Sequence, residues 1–243
     1  LSVNYLDRGY NLLEISMPGD DPKASLVRDQ WGIPRLNTGK FRTAWFKIEN
    51  PVFRQGIKPG CDIQLQGVEQ IRSLALGDSE PPREPLPEVQ PALKLNRHMD
   101  LVMSAGADAR TLDGLPRALN ALRNTLPLIK ALGFNGVESY VKWNYVERSP
   151  GVYDWGFYDA VVSEIEKHGL KWFPLLIVGS AYTLPDWIHD SKELDGYVCL
   201  EHGVQIDIPT IFNDKQVKYV RRFLSEFGKH YEPRKVLLGV RLG

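Results

Sequence analysis

Residues 130–162 read KALGFNGVESYVKWNYVERSPGVYDWGFYDAVV, and this stretch decides the fold. The run from Val137 to Trp143 is rich in β-branched and aromatic residues and predicts a strand, while Gly133 before it is placed to end a helix. Residues 157–165 then repeat an apolar stripe at helical spacing, which Gly169 terminates. A helix, a strand and a second helix in this order predict an α/β domain.

The same alternation continues on both sides of this stretch. Upstream, a helical stripe recurs at three- and four-residue steps, formed by Leu115, Leu119, Leu122, Leu126, Ile129 and Leu132. Downstream, we expect strands at Leu170–Val178 and Val236–Leu242 with a helix over residues 217–227 between them, and Asp100–Met103 is expected to be the first strand. The order βαβαβαβ implies a parallel sheet with right-handed crossovers.

The length of this region favours part of a (β/α)8 TIM barrel. A complete barrel needs about 250 residues, and residues 94–243 supply 150, so we expect the first four βα units. An open doubly wound sheet is the competing topology, although no GxGxxG or GxxxxGK[ST] motif follows any strand. Half a barrel would leave two open sheet edges, and we therefore expect the chain to be a fragment whose remaining strands lie elsewhere.

The first 79 residues have a different pattern. Short β-type runs alternate with Gly, Pro, Asn and Asp clusters and predict a small all-β sandwich-like module, either complete or lacking its first strands; the runs are Asn11–Ile15, Phe41–Ile48, Asp62–Leu65 and Ile71–Leu76. Residues 80–91 hold five of the seventeen prolines. We therefore assign residues 80–93 to a Pro-rich linker between the two domains.

Composition narrows the class of partner. Thirty Lys and Arg residues balance thirty Asp and Glu residues, so there is no basic excess for nucleic acid, and no apolar run approaches the roughly 18 residues of a membrane span. Cys61 and Cys199 are far apart, and the five histidines have no ligand spacing, so we expect no metal site and no cofactor.

The candidate site lies where strands end, because the functional groups of barrels gather there. Trp143, Asn144 and Glu147 follow the second strand, while Tyr182 and Trp187 follow the third. Aromatic rings stack on sugar rings, and amides and carboxylates bond to hydroxyl groups, so these five residues predict a carbohydrate-binding surface.

Several side chains of this region have a structural role as the alternative interpretation. Tyr153 and Trp155 can simply seat the loop on the helix that follows it. Trp187 can pack inward from a short helix, and Glu138 needs a cation such as Arg241 or Lys142. Asn213 or Asp214 is expected to cap the third helix.

Between Ile129 and Tyr158 the chain resembles clan A glycoside hydrolases, above all the β-galactosidases of families 35 and 42. The matching positions are Ala131, Leu132, Gly133, Asn135, Val137, Tyr140, Val141, Trp143, Asn144, Glu147, Pro150, Gly151 and Asp154. The third strand and the loop through Leu184–Trp187 also resemble β-amylases, and the similarity covers Asp113–Gly243. The N-terminal part is loosely similar to sandwich domains that accompany such enzymes.

This resemblance implies a retaining glycoside hydrolase that acts on an oligo- or polysaccharide with two carboxylates. In those families the carboxylates follow the fourth strand and lie near the seventh, so neither can be named here and the chain alone is expected to be inactive. Export from the cytoplasm is expected for such an enzyme. The alternative is a non-catalytic glycan-binding protein with a degenerate barrel, whereas an isomerase or aldolase barrel lacks a suitable strand-end lysine.

Overall fold

The computed structural model describes residues 1–18, 27–28, 32–48, 53–55, 57, 59–79, 84–94, 99–105, 111–179 and 181–243. The chain divides into two compact units. Unit 1 comprises Leu1–His98 and Arg123–Gly133, and unit 2 comprises Met99–Leu122 and Phe134–Gly243. Residues 84–93, within the expected linker, form neither helix nor strand.

Unit 1 contains two antiparallel sheets. The strands are β1 (Ser2–Leu6), β2 (Tyr10–Met17), β3 (Val27–Arg28), β4 (Ile33–Leu36), β5 (Phe41–Trp45), β6 (Gln64–Gln66) and β7 (Ile71–Ala75). One sheet has the order β5–β1–β7, and in the other β2 pairs with β3, β4 and β6. Their buried side chains share one hydrophobic core, formed by Val3, Tyr5, Leu13, Ile15, Ala44 and Phe46.

A buried carboxylate fixes the turns of this unit. Asp7 is fully buried and accepts hydrogen bonds from the Leu36 amide at 2.8 Å and the Thr38 hydroxyl at 2.7 Å. Arg42 pairs with the same side chain at 3.2 Å. Because a buried charge is costly unless it is paired and bonded, these contacts hold the chain between β4 and β5 in one arrangement.

The predicted strands of unit 1 are confirmed with changed ends. The run expected at Phe41–Ile48 ends as a strand at Trp45, although the Phe46 amide still bonds to Leu1 O at 2.9 Å. Phe46 is buried and Phe41 is exposed, so the two aromatic side chains have different surroundings. β1 was absent from the prediction because its five residues follow directly on the first residue and carry no turn cluster before them.

The leucine stripe forms α1 (Leu115–Leu132), whose residues Leu122, Leu126 and Ile129 are fully buried. Gly133 ends it at φ +97°, and a Cβ there would lie 2.4 Å from the Leu93 carbonyl oxygen. In unit 1 the amides of residues 92 and 93 bond to the last carbonyls of the helix, those of residues 131 and 132, at 2.8 and 3.2 Å. Only glycine suits this end, because of both its dihedral angle and the close backbone.

Unit 2 contains a parallel sheet of four strands. Its elements are β8 (Val102–Ser104), β9 (Gly136–Lys142), α2 (Trp143–Val146), α3 (Gly156–Lys167), β10 (Lys171–Ile177), α4 (Asp186–His189), β11 (Gly196–Val198), β12 (Gln205–Pro209), α5 (Asp214–Tyr231) and β13 (Arg241–Leu242). The sheet order is β8–β9–β10–β13, so strands that succeed one another in the alternating region lie side by side. The predicted α/β class with a parallel sheet is confirmed.

The two faces of this sheet have different surroundings. On one face Trp172 is fully buried, packs against Phe227 and Tyr231 of α5 at ring-centroid distances of 5.8 and 5.0 Å, and donates to the Ser139 hydroxyl at 2.8 Å. On the other face Tyr140 is 37% exposed. We call these the covered face and the open face.

The fourth strand is shorter than predicted, because only Arg241–Leu242 of Val236–Leu242 is a strand. Residues 236–238 do bond to Trp172 of β10, but the pairing breaks at Gly239, where a Cβ would lie 2.8 Å from the Phe173 ring. The first strand begins at Val102 instead of Asp100, whose carboxylate accepts a bond from Asn135 at 2.5 Å.

The antiparallel pair β11–β12 was missed by the sequence analysis, which assigned no element to residues 190–210. Its strands are three and five residues long, too short for a recognisable period. Asn213 caps α5 as expected, accepting from the amides of Lys215 and Gln216 at 2.9 and 3.2 Å. Within the described ranges, no helix has both the length and the apolarity needed to cross a membrane.

Candidate functional site at the strand ends

The candidate site lies at the carboxyl ends of β9 and β10. α2 begins at Trp143, directly after β9, so Trp143, Asn144 and Glu147 are placed at the end of that strand. A turn of 3-10 helix at Ala181–Thr183 and then α4 follow β10, and they carry Tyr182 and Trp187. Neighbouring parallel strands place both loops at the same edge of the sheet.

Glu147 is a buried carboxylate with three donors. Its Oε2 accepts from Trp143 Nε1 at 2.7 Å, while its Oε1 accepts from the Gly151 amide at 2.7 Å and from Arg222 of α5. The side chain is fully buried. These bonds offset the cost of burying a charge and fix the loop after β9 to α5.

Trp143 is also fully buried, which changes its predicted role. Its ring stacks on Phe223 at 5.2 Å and meets Trp187 edge-on at 6.0 Å. A side chain with no exposed surface does not contact a sugar in this conformation. Trp143 and Glu147, both predicted to bind substrate directly, therefore support the surface from behind instead.

Two hydrogen bonds join the loops. Trp187 Nε1 donates to the Glu147 carbonyl at 3.0 Å, and Asn144 Nδ2 donates to the Tyr182 carbonyl at 3.1 Å. All five predicted residues thus lie in one connected cluster, which we call the strand-end junction. The Tyr182 ring is 63% exposed and Asn144 and Trp187 are half-buried, so these three provide its accessible surface.

Two residues of α5 belong to the junction and were missed. Arg222 lies over the ring of Trp187 at 5.7 Å and over the ring of Tyr219 at 5.4 Å, while Tyr219 meets Trp187 edge-on at 5.2 Å. A buried carboxylate requires a cationic partner, and the sequence does not show which of the thirty Lys and Arg residues pairs with Glu147.

Tyr153 and Trp155 seat the loop, as the structural interpretation predicted, but on α5 rather than on the helix that follows. Trp155 is 8% exposed and stacks on Phe223 at 5.9 Å and on His230 at 5.3 Å. Tyr153 stacks on Trp155 at 6.1 Å, and burial raises its pKa above the ordinary tyrosine value. A chain of rings, Trp187–Trp143–Phe223–Trp155–Tyr153, therefore runs through the junction.

Glu138 on the open face is paired as predicted. Its Oε2 lies 3.2 Å from Arg241 Nη1, and its side chain is 15% exposed against 60% for the arginine. The two residues are on β9 and β13, on either side of β10. This pair is a structural contact across three strands.

The described part of the chain shows no candidate metal centre. No three His, Cys, Asp or Glu side chains there are arranged to hold a metal ion. Both cysteines are free. Of the groups considered in the sequence analysis, His98 lies outside the described residues.

Comparisons with known proteins point to glycoside hydrolases. The chain is 29% identical over 126 residues to "Inactive beta-amylase 9" and 30% identical over 98 residues to "Beta-amylase 1, chloroplastic", both from Arabidopsis thaliana. These alignments cover 45% and 36% of this chain, but only 23% and 17% of the relatives, so the chain spans less than a quarter of their length. No protein-family model matches the chain.

Two solved structures are also similar. An exo-β-1,4-mannosidase from Opitutaceae bacterium strain TAV5 has a TM-score of 0.45 and 21% identity over 59% of this chain and 24% of its own. A β-galactosidase from Rahnella sp. R3 has a TM-score of 0.46 and 17% identity over 60% of this chain and 22% of its own. The two β-amylase relatives confirm the resemblance to glycoside hydrolases that the sequence predicts.

Proposed function

We propose that this chain is part of a carbohydrate-active protein in which residues 94–243 form the first four βα units of a (β/α)8 barrel and residues 1–79 a sandwich-like module. The order β8–β9–β10–β13, with helices between successive strands, supports this assignment. The remaining strands of the barrel would adjoin β8 and β13, the two edges of the present sheet.

The observation that carries the proposal is the strand-end junction. Its buried part, Trp143 and Glu147, fixes the two loops, and its accessible part presents the Tyr182 ring beside the Asn144 amide. Asn144 Oδ1 is buried and has no hydrogen-bond partner among the described residues, so the exposed Tyr182 ring is the part of the junction that a sugar would meet first. An aromatic face next to an amide is suited to a sugar ring with its hydroxyl edge.

A retaining mechanism needs two carboxylates about 5 to 5.5 Å apart, one as acid/base and one as nucleophile. Glu147 accepts three bonds and is fully buried, and Glu138 is paired with Arg241, so neither is available for either role. As the family resemblance implies, we place both carboxylates of the active protein beyond Gly243. β-Galactoside hydrolysis is the activity that the family resemblance favours.

A non-catalytic glycan-binding protein is the second candidate. One of the relatives is itself described as an inactive β-amylase. The commitment of Glu138 and Glu147 to structural bonds also agrees with a surface that binds without reacting. An oligo- or polysaccharide is the partner in both cases, while nucleic acid and membranes are not proposed as partners.

Sugar binding can be measured by calorimetric titration of the chain with lactose, mannotriose and maltoheptaose. We expect one of the three to bind, and Tyr182→Ala to weaken it about tenfold, which corresponds to about 1.4 kcal/mol. The matched control is Phe53→Ala, because Phe53 is an exposed aromatic of unit 1. Equal binding by wild type and Tyr182→Ala, or no binding of any sugar, would contradict the proposed site.

The two candidate functions differ in turnover. In a protein that contains this chain and the rest of its barrel, a hydrolase releases reducing sugar and loses that activity when one downstream strand-end carboxylate is replaced by its amide. A glycan-binding protein retains its sugar affinity in every such variant and releases no product.

A further inference from the structure

Arg35 is a buried cation of unit 1. It lies in β4 and is 6% exposed, and among the residues that the structure describes its enclosed Nε and Nη1 have no hydrogen-bond partner. A guanidinium group keeps its proton in a protein, so it does not avoid the cost of burial by becoming neutral. An arginine in this setting is stabilised by an anion that accepts from its N–H groups.

Asp7, the buried carboxylate described above, is already used by other donors. Its Oδ1 accepts from the Leu36 amide at 2.8 Å, and its Oδ2 accepts from the Thr38 hydroxyl at 2.7 Å and from Arg42 Nη1 at 3.2 Å. Asp7 therefore balances the charge of Arg42. With Arg35 added, the three charged side chains carry one net positive charge.

A second buried donor lies within electrostatic range of Arg35. Tyr5 is fully buried, and its hydroxyl has no hydrogen-bond partner within the described ranges. Burial raises the pKa of Tyr5 to about 12, while the charges of Arg42 and Arg35 lower it and those of Asp7 and Glu84 raise it. Arg35 and the carboxylate of Glu84, a residue of the linker, thus act on the same phenol.

The third nitrogen of the guanidinium group lies beside a surface turn. A Cβ on Gly9 would be 3.4 Å from Arg35 Nη2. Gly9 follows β1 with φ +78°, and its amide donates to Oδ1 of the exposed Asn37 at 2.8 Å. Because Gly9 carries no side chain, a small anion would approach Nη2 from this turn.

We propose that Arg35 is a binding site of unit 1 for a carboxylate group. Nη2 belongs to both pairs of parallel N–H groups that a guanidinium offers, so a planar carboxylate with one oxygen on Nη2 places the other on Nε or Nη1. The carboxylate comes either from Glu84 or from a small molecule. This site lies in unit 1, whereas the strand-end junction belongs to unit 2, so it goes beyond the proposed function.

The test is to follow the Arg Nε–H signals of the ¹⁵N-labelled chain by NMR while sodium acetate replaces sodium chloride at constant ionic strength. We expect the Arg35 signal, identified by its loss in Arg35→Lys, to move and to saturate. The signal of Arg8, an exposed arginine of the same unit, is the control and should stay in place. Arg35→Lys keeps the charge but lacks the planar fork, so it should need about tenfold more acetate for the same rise in melting temperature.

Glu84→Gln distinguishes the two sources of the carboxylate. If Glu84 is the occupant, this variant should show a shifted Arg35 signal before acetate is added and should bind acetate more tightly than wild type. If the occupant is a small molecule, the signal and the affinity should equal those of wild type. An Arg35 signal that follows acetate in neither chain, or an equal acetate requirement for wild type and Arg35→Lys, would overturn the proposal.

Discussion

The covered and open faces of the parallel sheet are built from alternate residues of the same strands, yet they differ in what they hold. On β9, Val137 and Val141 have no exposed surface, whereas Tyr140 between them is 37% exposed. On β10, Trp172 is fully buried against α5, whereas Phe173 is half-buried. From this comparison we expect the covered face to contribute more to the stability of unit 2, whereas part of the opposite face stays accessible.

The largest expected effect is on the covered face. Trp172→Ala removes a fully buried ring and its bond to Ser139, and should lower the free energy of unfolding by about 3 to 5 kcal/mol. Urea unfolding followed by circular dichroism measures this loss. Tyr140→Ala on the open face is the control and should cost under about 1.5 kcal/mol. Similar losses for the two variants would show that the faces do not differ in this way.

A buried charge at the strand ends extends the comparison beyond the sheet. Glu147→Ala leaves Arg222, the Trp143 indole and the Gly151 amide without their acceptor, and should cost about 3 kcal/mol. Its control is Glu138→Ala, which removes a carboxylate of the open face. A Glu147→Ala chain as stable as Glu138→Ala would contradict the supporting role of Glu147.

Alkaline pH provides a third test of the covered face. Burial, and then the nearby charge of Asp159, raise the pKa of Tyr231 above its ordinary value. The unfolded chain releases this proton near pH 10 and the folded chain retains it, so stability should fall as pH rises above about 10, by at most about 1.4 kcal/mol per pH unit. Unfolding free energies between pH 9 and 12 measure the slope.

Two Phe variants separate the sources of this slope. Burial raises the pKa of Tyr5, in unit 1, to about 12, so Tyr5 acts with the same sign. Tyr231→Phe should flatten the pH dependence of unit 2, and Tyr5→Phe that of unit 1. An unchanged slope in Tyr231→Phe would refute the assignment.

The smallest effect is expected for the ion pair of the open face. Arg241 is 60% exposed, and solvent screens its pairing with Glu138. A double-mutant cycle with Glu138→Gln and Arg241→Gln should give a coupling below about 1 kcal/mol that decreases with salt. A coupling above about 2 kcal/mol, independent of salt, would show that the open face is shielded from solvent.

The elements with a long apolar period could be predicted from the sequence. The stripe of α1 and the glycine that ends it, the strand β9 and the helix α5 with its Asn213 cap lie where their patterns place them. The break at Gly239 and the hairpin β11–β12 could not be predicted. The first depends on the Phe173 ring of another strand, and the second has strands of only three and five residues.

The sequence predicted which residues form the strand-end junction, but not which of them are exposed to solvent. Residue type and position placed Trp143, Asn144, Glu147, Tyr182 and Trp187 at the strand ends, where they do meet. Which of them face solvent depends on Arg222 and Phe223, which lie about eighty positions away and approach only in the folded chain. That these residues contact a sugar stays a prediction.

The chain of rings from Trp187 to Tyr153 has a spectroscopic consequence. Trp143 and Trp187 are 6.0 Å apart and nearly perpendicular, at an interplanar angle of 86°, and Trp155 is linked to them through Phe223. Indoles fixed this closely in an asymmetric setting should couple their electronic transitions and give a strong near-ultraviolet dichroism band. The intensity of that band should report whether the loops after β9 and β10 are in contact, even when the helical content of the chain is unchanged.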